Sequence, residues 1–171
     1  MLKQLYRRYR TRVPDRRGTW IRDADNTITD ESLNRISYKP AVSVNTGAVY
    51  RGSVNLGQIG TVHFSFFDNE SLDDTLLYVR SIFHAVPKLD PLYRRFITAD
   101  LLVTAPIFAK RNVTYSEFYA ALSMTYIQVW YPNRHPNIGA NVWYSTGNVY
   151  GGYRVCVVLG TDRRMHRVAA G

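Results

Sequence analysis

The side chains that could do chemistry are scattered along this sequence, and they do not form a recognised catalytic motif. There is no P-loop, no G-x-G-x-x-G and no H-E-x-x-H. None of the four histidines has metal-like spacing to a second histidine or cysteine; they are His63, His84, His135 and His166. The single cysteine, Cys156, lies in an apolar run and is predicted to be a buried thiol, not a nucleophile. We therefore expect a protein that is not an enzyme and has no metal or cofactor.

One acidic cluster allows two interpretations. Asp68, Glu70, Asp73 and Asp74 could form a metal site or a pair of catalytic carboxylates. They could equally mark the end of a strand and the start of a helix, where carboxylates complement exposed N–H groups. Ser71 is a suitable N-cap within the cluster, so the helix start is the preferred interpretation.

Positive charge is concentrated at the two ends of the chain. The net charge is +9, and residues 1–22 contain eight basic residues and one acidic residue, whereas residues 23–161 are neutral overall. Charge confined to the ends is typical of segments that bind nucleic acid, an anionic membrane or an acidic protein surface. The predicted polyanion-binding residues are Lys3, Arg7, Arg8, Arg10, Arg12, Arg16, Arg17, Arg22, Arg163, Arg164 and Arg167.

The first ten residues have the spacing of a short amphipathic helix. Leu2, Leu5, Tyr6 and Tyr9 recur at helical intervals, with basic residues between them. Such a segment suits an anionic bilayer surface. It suits RNA equally well, because arginine binds phosphate and tyrosine stacks on bases. The sequence does not separate these two uses.

Composition predicts one folded domain with basic ends. The chain has 171 residues and 46% apolar residues, enough for one core. We predict a basic extended arm at residues 1–36, a globular α+β domain at 37–161 and a basic tail at 162–171. No run approaches the ~18 apolar residues of a spanning helix, so we expect any membrane contact to be peripheral.

The local patterns predict mainly antiparallel strands and two amphipathic helices. Residues 61–66 alternate with period two, which places His63 on the opposite face from Val62 and Phe64. Helices are predicted over about 71–85, ending before Pro87, and over about 114–126, beginning with a capping box at Thr114. Residues 96–108 are predicted to form a strand, and the last third of the chain is predicted to be β-structure.

Residues 90–127 resemble the matrix proteins of rhabdoviruses, which are enveloped negative-strand RNA viruses. The similarity lies in Asp-Pro-Leu-Tyr-Arg-Arg-Phe at 90–96, a predicted strand through 103–104, a basic turn at 110–112 and Thr-Tyr-Ser-Glu opening a helix at 114–117. The segment 60–72 also looks like a strand and acidic turn of that family. The P-P-x-Y motif of animal-virus members is missing, so the chain looks more like a plant-virus member.

The resemblance implies a structural role in the virion. Matrix proteins of this family self-associate, bind the viral nucleoprotein–RNA complex and the inner leaflet of an anionic membrane, and contact the glycoprotein cytoplasmic tail. The implied location is beneath the envelope in the virion, and in infected cells the cytoplasm and membrane periphery during assembly and budding. Self-association in the family commonly involves an N-terminal arm, and Tyr6, Tyr9 and Trp20 are the corresponding anchors here.

Three other classes of protein remain open. The main alternative is a small-virus capsid protein whose basic arm binds the genome, although two helices are more than a plain jelly roll needs. A nucleic-acid-binding or transport protein of another type would also have basic ends. An enzyme is the fourth possibility, and it lacks a supporting motif.

Overall fold

The described part of the chain forms one nine-stranded sheet. The computed structural model describes residues 20–22, 27–39, 49–67, 71–130, 137–162 and 164–170, with residues 20–22 and 39 described for their backbone alone. Within them the strands lie side by side in chain order. Their bounds are β1 Trp20–Arg22, β2 Thr27–Asp30, β3 Asn34–Lys39, β4 Val49–Asn55, β5 Thr61–Phe67, β6 Ser123–Val129, β7 Ala140–Ser145, β8 Arg154–Leu159 and β9 Met165–Ala170.

A single parallel pairing joins two antiparallel halves of this sheet. Strands β1–β5 and strands β6–β9 each pair antiparallel in sequence, and β5 pairs parallel with β6. A parallel pair needs a long crossover connection. Here the crossover contains three helices: α1 Leu72–Leu101, α2 Ala105–Ala109 and α3 Tyr115–Ala121. The predicted α+β fold with a mainly antiparallel sheet is confirmed.

Helix α1 packs on one face of the sheet, which we call the inner face. On β5, Val62 and Phe64 are buried and His63 is exposed, as the alternating pattern predicted. The Phe64 ring meets the Phe83 ring of α1 edge-on, with centroids 5.1 Å apart. The buried stripe of α1 comprises Leu72, Thr75, Leu76, Val79, Ile82, Phe83, Val86, Asp90, Tyr93, Ile97 and Thr98. Helix and sheet therefore share one core.

Helix α1 begins where the sequence predicted and ends much later. The Ser71 hydroxyl accepts a hydrogen bond from the Asp74 N–H at 3.3 Å, as the N-cap interpretation requires. The helix then continues through Pro87 and Pro91 to Leu101, so the predicted end at about 85 is wrong. The predicted strand at 96–108 is also wrong, because those residues form the end of α1, a turn and most of α2. Buried side chains before and after the prolines offset the loss of two helical N–H donors.

The second predicted helix begins correctly and is shorter than expected. Thr114 and Glu117 form the full capping box: the Thr114 N–H donates to Glu117 Oε2 at 2.8 Å, and the Glu117 N–H donates to Thr114 Oγ1 at 3.2 Å. Helix α3 ends at Ala121, and β6 begins at Ser123, so the predicted end at 126 is wrong. Met124 and Ile127 are buried in the sheet, and this packing outweighs helix propensity.

Both basic ends contribute strands to the sheet. Residues 27–36, assigned from the sequence to the arm, include β2 and part of β3, and Ile28, Leu33 and Ile36 are completely buried. Residues 165–170, assigned to the tail, form β9, which pairs with β8. Residues 1–19 of the predicted arm lie outside the described residues.

Candidate polyanion-binding face

The outer face of the sheet carries a cationic depression over strands β3 to β5. Its volume is about 350 Å³, and it is lined by Arg35, Ser37, Arg51, Gly52, Ser53 and His63. Strand register brings these side chains together, since Ser37 lies opposite Arg51 and Ser53 lies opposite His63. Directly opposed residues share a face of the sheet, so the cluster projects away from the helices.

The outward alternation of each strand positions these groups. In β3, Ile36 points into the core and is completely buried, so Arg35 and Ser37 on either side point outward. In β4, buried Tyr50 precedes exposed Arg51 in the same way. The hydrophobic core therefore fixes the direction of the cationic groups.

Gly52 allows close packing beneath the depression. A Cβ atom at this position would lie 2.6 Å from Cζ of the Phe64 ring and 3.1 Å from the Arg35 carbonyl oxygen. Phe64 is 1% exposed, so its ring occupies the inner-face space that a side chain at position 52 would need. The glycine thus lets the core aromatic ring support the backbone that carries both arginines.

Among the described residues of this face, the two arginines have no acidic neighbours. The outward positions of β2–β5 that the structure describes contain no Asp or Glu. Over the same residues, Arg35 and Arg51 form no ion pair, whereas Arg94 is paired with a carboxylate on its own helix, Asp90. The Ser37 hydroxyl donates to the Arg51 carbonyl oxygen at 3.1 Å and leaves the guanidinium free. An exposed, unneutralised guanidinium binds phosphate oxygens in a bidentate manner.

The face continues across the parallel junction with uncharged polar and aromatic residues. His63 lies opposite Tyr126, which lies opposite Trp143. The Tyr126 hydroxyl donates to Ser65 Oγ at 2.5 Å across the β5–β6 pair. Both aromatic side chains are partly exposed, which is compatible with contact to a flat ligand.

One residue of the predicted basic tail lies on the same face. The register links Arg51 with Arg167 through a continuous row, whose members in between are Ser65, Gln128, Asn141 and Val158. Five inter-strand spacings separate the two arginines, or about 24 Å along the sheet. Arg164 is highly exposed and lies 3.8 Å from the Asp162 carboxylate.

The remaining predicted site residues are not placed in full. Trp20 and Arg22 lie in β1 and are described for their backbone alone. The others lie outside the described residues: Lys3, Tyr6, Arg7, Arg8, Tyr9, Arg10, Arg12, Arg16, Arg17 and Arg163. The sequence interpretation missed Arg35, Arg51 and His63. The feature that could have identified them is the alternation of a basic or polar residue with a buried one. This pattern predicts that the side chain points outward, but it does not identify the neighbouring strand.

The groups considered for metal binding or catalysis are dispersed. Among the described residues, no three His, Cys, Asp or Glu side chains could hold a metal ion. Asp73 and Asp74 lie in the first turn of α1, as the helix-start interpretation predicted, whereas Asp68 and Glu70 lie outside the described residues. Cys156 is buried as predicted, and burial raises the pKa of its thiol.

A buried polar network connects α1 with β7. The Tyr144 hydroxyl donates to Asp90 Oδ1 at 2.8 Å, and Arg94 Nε donates to Asp90 Oδ2 at 2.8 Å. Burial, reinforced by the adjacent Asp90 carboxylate, raises the pKa of Tyr144, and burial alone raises the pKa of Tyr93 to about 12. Tyr144 therefore stays protonated and acts as the donor that satisfies the carboxylate.

Comparisons with known proteins identify no relative. No family model, curated protein or solved structure matches this chain. Over the described residues, none of the helices is both long enough and apolar enough to cross a bilayer.

Proposed function

We propose that this protein is a matrix-type structural protein that binds phosphate-bearing polymers through the outer face of its sheet. The observation that carries the proposal is the pair of exposed guanidinium groups of Arg35 and Arg51, which form no ion pair with the described residues and lie in one depression with His63. Phosphate groups of RNA, within the viral nucleoprotein–RNA complex, are the proposed ligands. In this role the protein has no catalytic function and self-associates to form a layer.

The basic arm is a second part of the proposal. Eight cations within residues 1–22 supply sequence-independent attraction to a polyanion. Tyr6, Tyr9 and Trp20 are the proposed anchors between copies of the chain. In this arrangement the protein links the ribonucleoprotein to the inner face of the envelope and to the glycoprotein tail, at the membrane periphery of the infected cell and in the virion.

The capsid alternative has weaker support. A jelly-roll capsid domain has two packed sheets with Greek-key connections. The described strands instead form one sheet in consecutive order, and helices cover its inner face. The basic arm fits both classes of protein, so the sheet topology is the observation that counts against a jelly-roll capsid protein.

RNA binding by the full chain tests the sheet face. Arg35→Gln with Arg51→Gln should weaken binding of single-stranded RNA by on the order of tenfold in fluorescence anisotropy. The dependence of log affinity on log salt should become shallower by about 1.4, because each lost phosphate contact on a single strand contributes about 0.7. The matched control is Arg111→Gln with Arg154→Gln, which removes two exposed cations that line neither the depression nor the helical surface at residues 88–110.

Comparison with the control pair separates a contact at the depression from general electrostatic attraction. If the control pair weakens binding as much as the sheet pair, the affinity depends on net charge, and the face has no special role. A further variant, R7E/R8E/R10E/R12E, isolates the arm; it should lose binding to the polyanion while the folded body keeps its circular dichroism spectrum. Unchanged RNA binding by the Arg35 and Arg51 variant would contradict the proposed site.

A further inference from the structure

Large apolar side chains project from the helical side of the molecule. Val103 is 84% exposed and Ile107 is 73% exposed, and both lie where α1 turns into α2. Leu92 and Phe96, in the last third of α1, are 44% and 45% exposed. We call these four residues the apolar ridge.

Helical geometry places the ridge away from the core. At about 100° per residue, Leu92 and Phe96 lie about 40° apart around α1. Val103 lies in the turn just after the end of α1. The buried stripe, which includes Tyr93 and Ile97, lies about 60–140° farther round the same helix. Leu92 and Phe96 therefore lie outside the buried stripe, on the exposed part of α1.

The rest of α2 is anchored, so the projection of Ile107 is imposed by the packing. Ala105 is completely buried. The Phe108 ring contacts Tyr150 at a centroid distance of 4.5 Å and Tyr153 at 5.4 Å. With Ala105 and Phe108 holding the short helix against the turn before β8, Ile107 has no core position available.

Basic residues flank the ridge. Segment 88–111 contains five cations and two carboxylates, and one of these carboxylates, Asp90, is buried and paired with Arg94. Lys88 and Arg95 are exposed on α1 beside the ridge, and Lys110 is exposed directly after α2. An apolar ridge flanked by cations complements a membrane interface, whose surface is anionic and whose interior is apolar.

We propose that the apolar ridge inserts into the interfacial region of an anionic phospholipid bilayer. Val103 and Ile107 are the most exposed residues of the apolar ridge. A bilayer accommodates such side chains without a matching cavity, whereas a protein partner would need one. The surrounding Lys88, Arg95 and Lys110 bind lipid phosphate groups. This inference rests on the proposed bridging function for its choice of partner, and it assigns the membrane contact to residues outside the basic arm.

Vesicle flotation of the full chain tests the ridge. Val103→Asp with Ile107→Asp should raise the lipid concentration for half-maximal binding to phosphatidylserine-containing vesicles by about tenfold or more. The control Gln58→Asp with Thr61→Asp adds the same charge at exposed positions near the β4–β5 turn and should have little effect. Vesicles of phosphatidylcholine alone should bind the unchanged protein more weakly, because the flanking cations then lack anionic partners.

Variants of the two proposed binding surfaces should have different effects. The ridge variant should keep its RNA affinity, and the Arg35 and Arg51 variant should keep most of its vesicle binding. Unchanged flotation of the ridge variant would overturn the inference. A ridge variant that floats normally but sediments as a smaller species would also overturn it, since the ridge would then be a contact between copies of the chain.

Discussion

Replacement of Arg80 by alanine is expected to leave a buried carboxylate without its counter-charge. The side chain of Asp30 in β2 is completely buried, and that of Arg80 in α1 is 16% exposed. Arg80 forms an ion pair with Asp30, and its Nε donates to Asp30 Oδ1 at 3.4 Å. Asp30 Oδ1 also accepts the backbone N–H groups of Ser32 at 2.9 Å and Leu33 at 3.0 Å. The variant keeps these two backbone donors and loses the positive charge.

The burial of the pair determines the expected magnitude. Breaking a buried ion pair from one side costs about 3–5 kcal/mol, because the remaining charge stays desolvated. The two backbone donors to Asp30 place the expected loss at the lower end, about 3 kcal/mol. The exposed pair of Arg111 and Glu117, with side chains 49% and 45% exposed and 3.1 Å apart, is a contrast within the same chain. Removing Arg111 should cost about 0–1 kcal/mol.

Urea unfolding of the full chain, followed by circular dichroism, measures this difference. Arg80→Ala, Asp30→Ala and the double variant complete a thermodynamic cycle, and the double variant should cost less than the sum of the single changes. Arg80→Lys retains the positive charge and should recover part of the lost stability. It can therefore be measured in place of the alanine variant if that variant is too unstable.

The reasoning is refuted if Arg80→Ala costs no more than Arg111→Ala. That result would mean that water or another group solvates Asp30 in the folded protein. It would also mean that the ion pair contributes little to the attachment of the β2–β3 hairpin to α1, and that the burial of Ile28, Leu33 and Ile36 supplies most of it.

Three further predictions concern single positions. Gly52→Ala should destabilise the protein by about 1–3 kcal/mol in urea unfolding, because the new Cβ overlaps the buried Phe64 ring; an unchanged midpoint would contradict this packing. Hydrogen bonds from Thr114 lower the pKa of Glu117 below its ordinary value of 4.5, with the larger effect from the Thr114 N–H and the smaller from its hydroxyl. Its contribution to stability is therefore present above that pH and is lost as the pH falls through the folded-state pKa, so Glu117→Gln should flatten the acid limb of a stability–pH profile. Burial raises the pKa of Cys156, so its thiol should react with a disulfide reagent slowly in the native protein and rapidly in urea.

Local signals in the sequence predicted element starts better than element ends. Ser71 and Thr114 each satisfy N–H groups within four residues, so their role depends only on neighbours in the chain. The end of α1 depends instead on what the helix packs against. Pro87 and Pro91 are normally helix-ending residues, but Tyr93 and Ile97 continue the buried stripe after them. That contact cannot be deduced without the position of the sheet.

The strands nearest the N-terminus illustrate a second limit on predicting structure from this sequence. Between residues 27 and 36 only Ile28, Leu33 and Ile36 are apolar, too few for a clear alternating pattern. All three are completely buried, so a few well-placed side chains suffice once a neighbouring strand exists. Asp30 closes the turn between β2 and β3 through its hydrogen bonds to Ser32 and Leu33. The sequence contains this turn signal, but the polar composition and weak periodicity of residues 1–36 favour an arm.

The candidate site depends on strand register, which a single sequence does not reveal. Arg35 and Arg51 are sixteen positions apart and have no motif in common. They become neighbours because β3 pairs with β4 so that Ser37 lies opposite Arg51. A slip of one residue in this register would turn one set of side chains toward the core. Buried Ile36 and Tyr50 prevent the slip, so the apolar residues of these strands determine where the cations project.

The crossover between β5 and β6 gives the molecule two chemically different sides. Because the three helices enter between these strands and α1 packs on the inner face, the outer face stays uncovered by helices at Arg35, Arg51 and His63. The exposed residues Leu92 and Phe96 of α1 do not face the sheet, and Val103 and Ile107 are exposed in the turn and the short helix that follow it. A cationic sheet face and an exposed apolar ridge on the helical part are the two surfaces that the proposed bridging role requires. The relative position of these two surfaces depends on the α1–sheet core and on the Asp30–Arg80 pair.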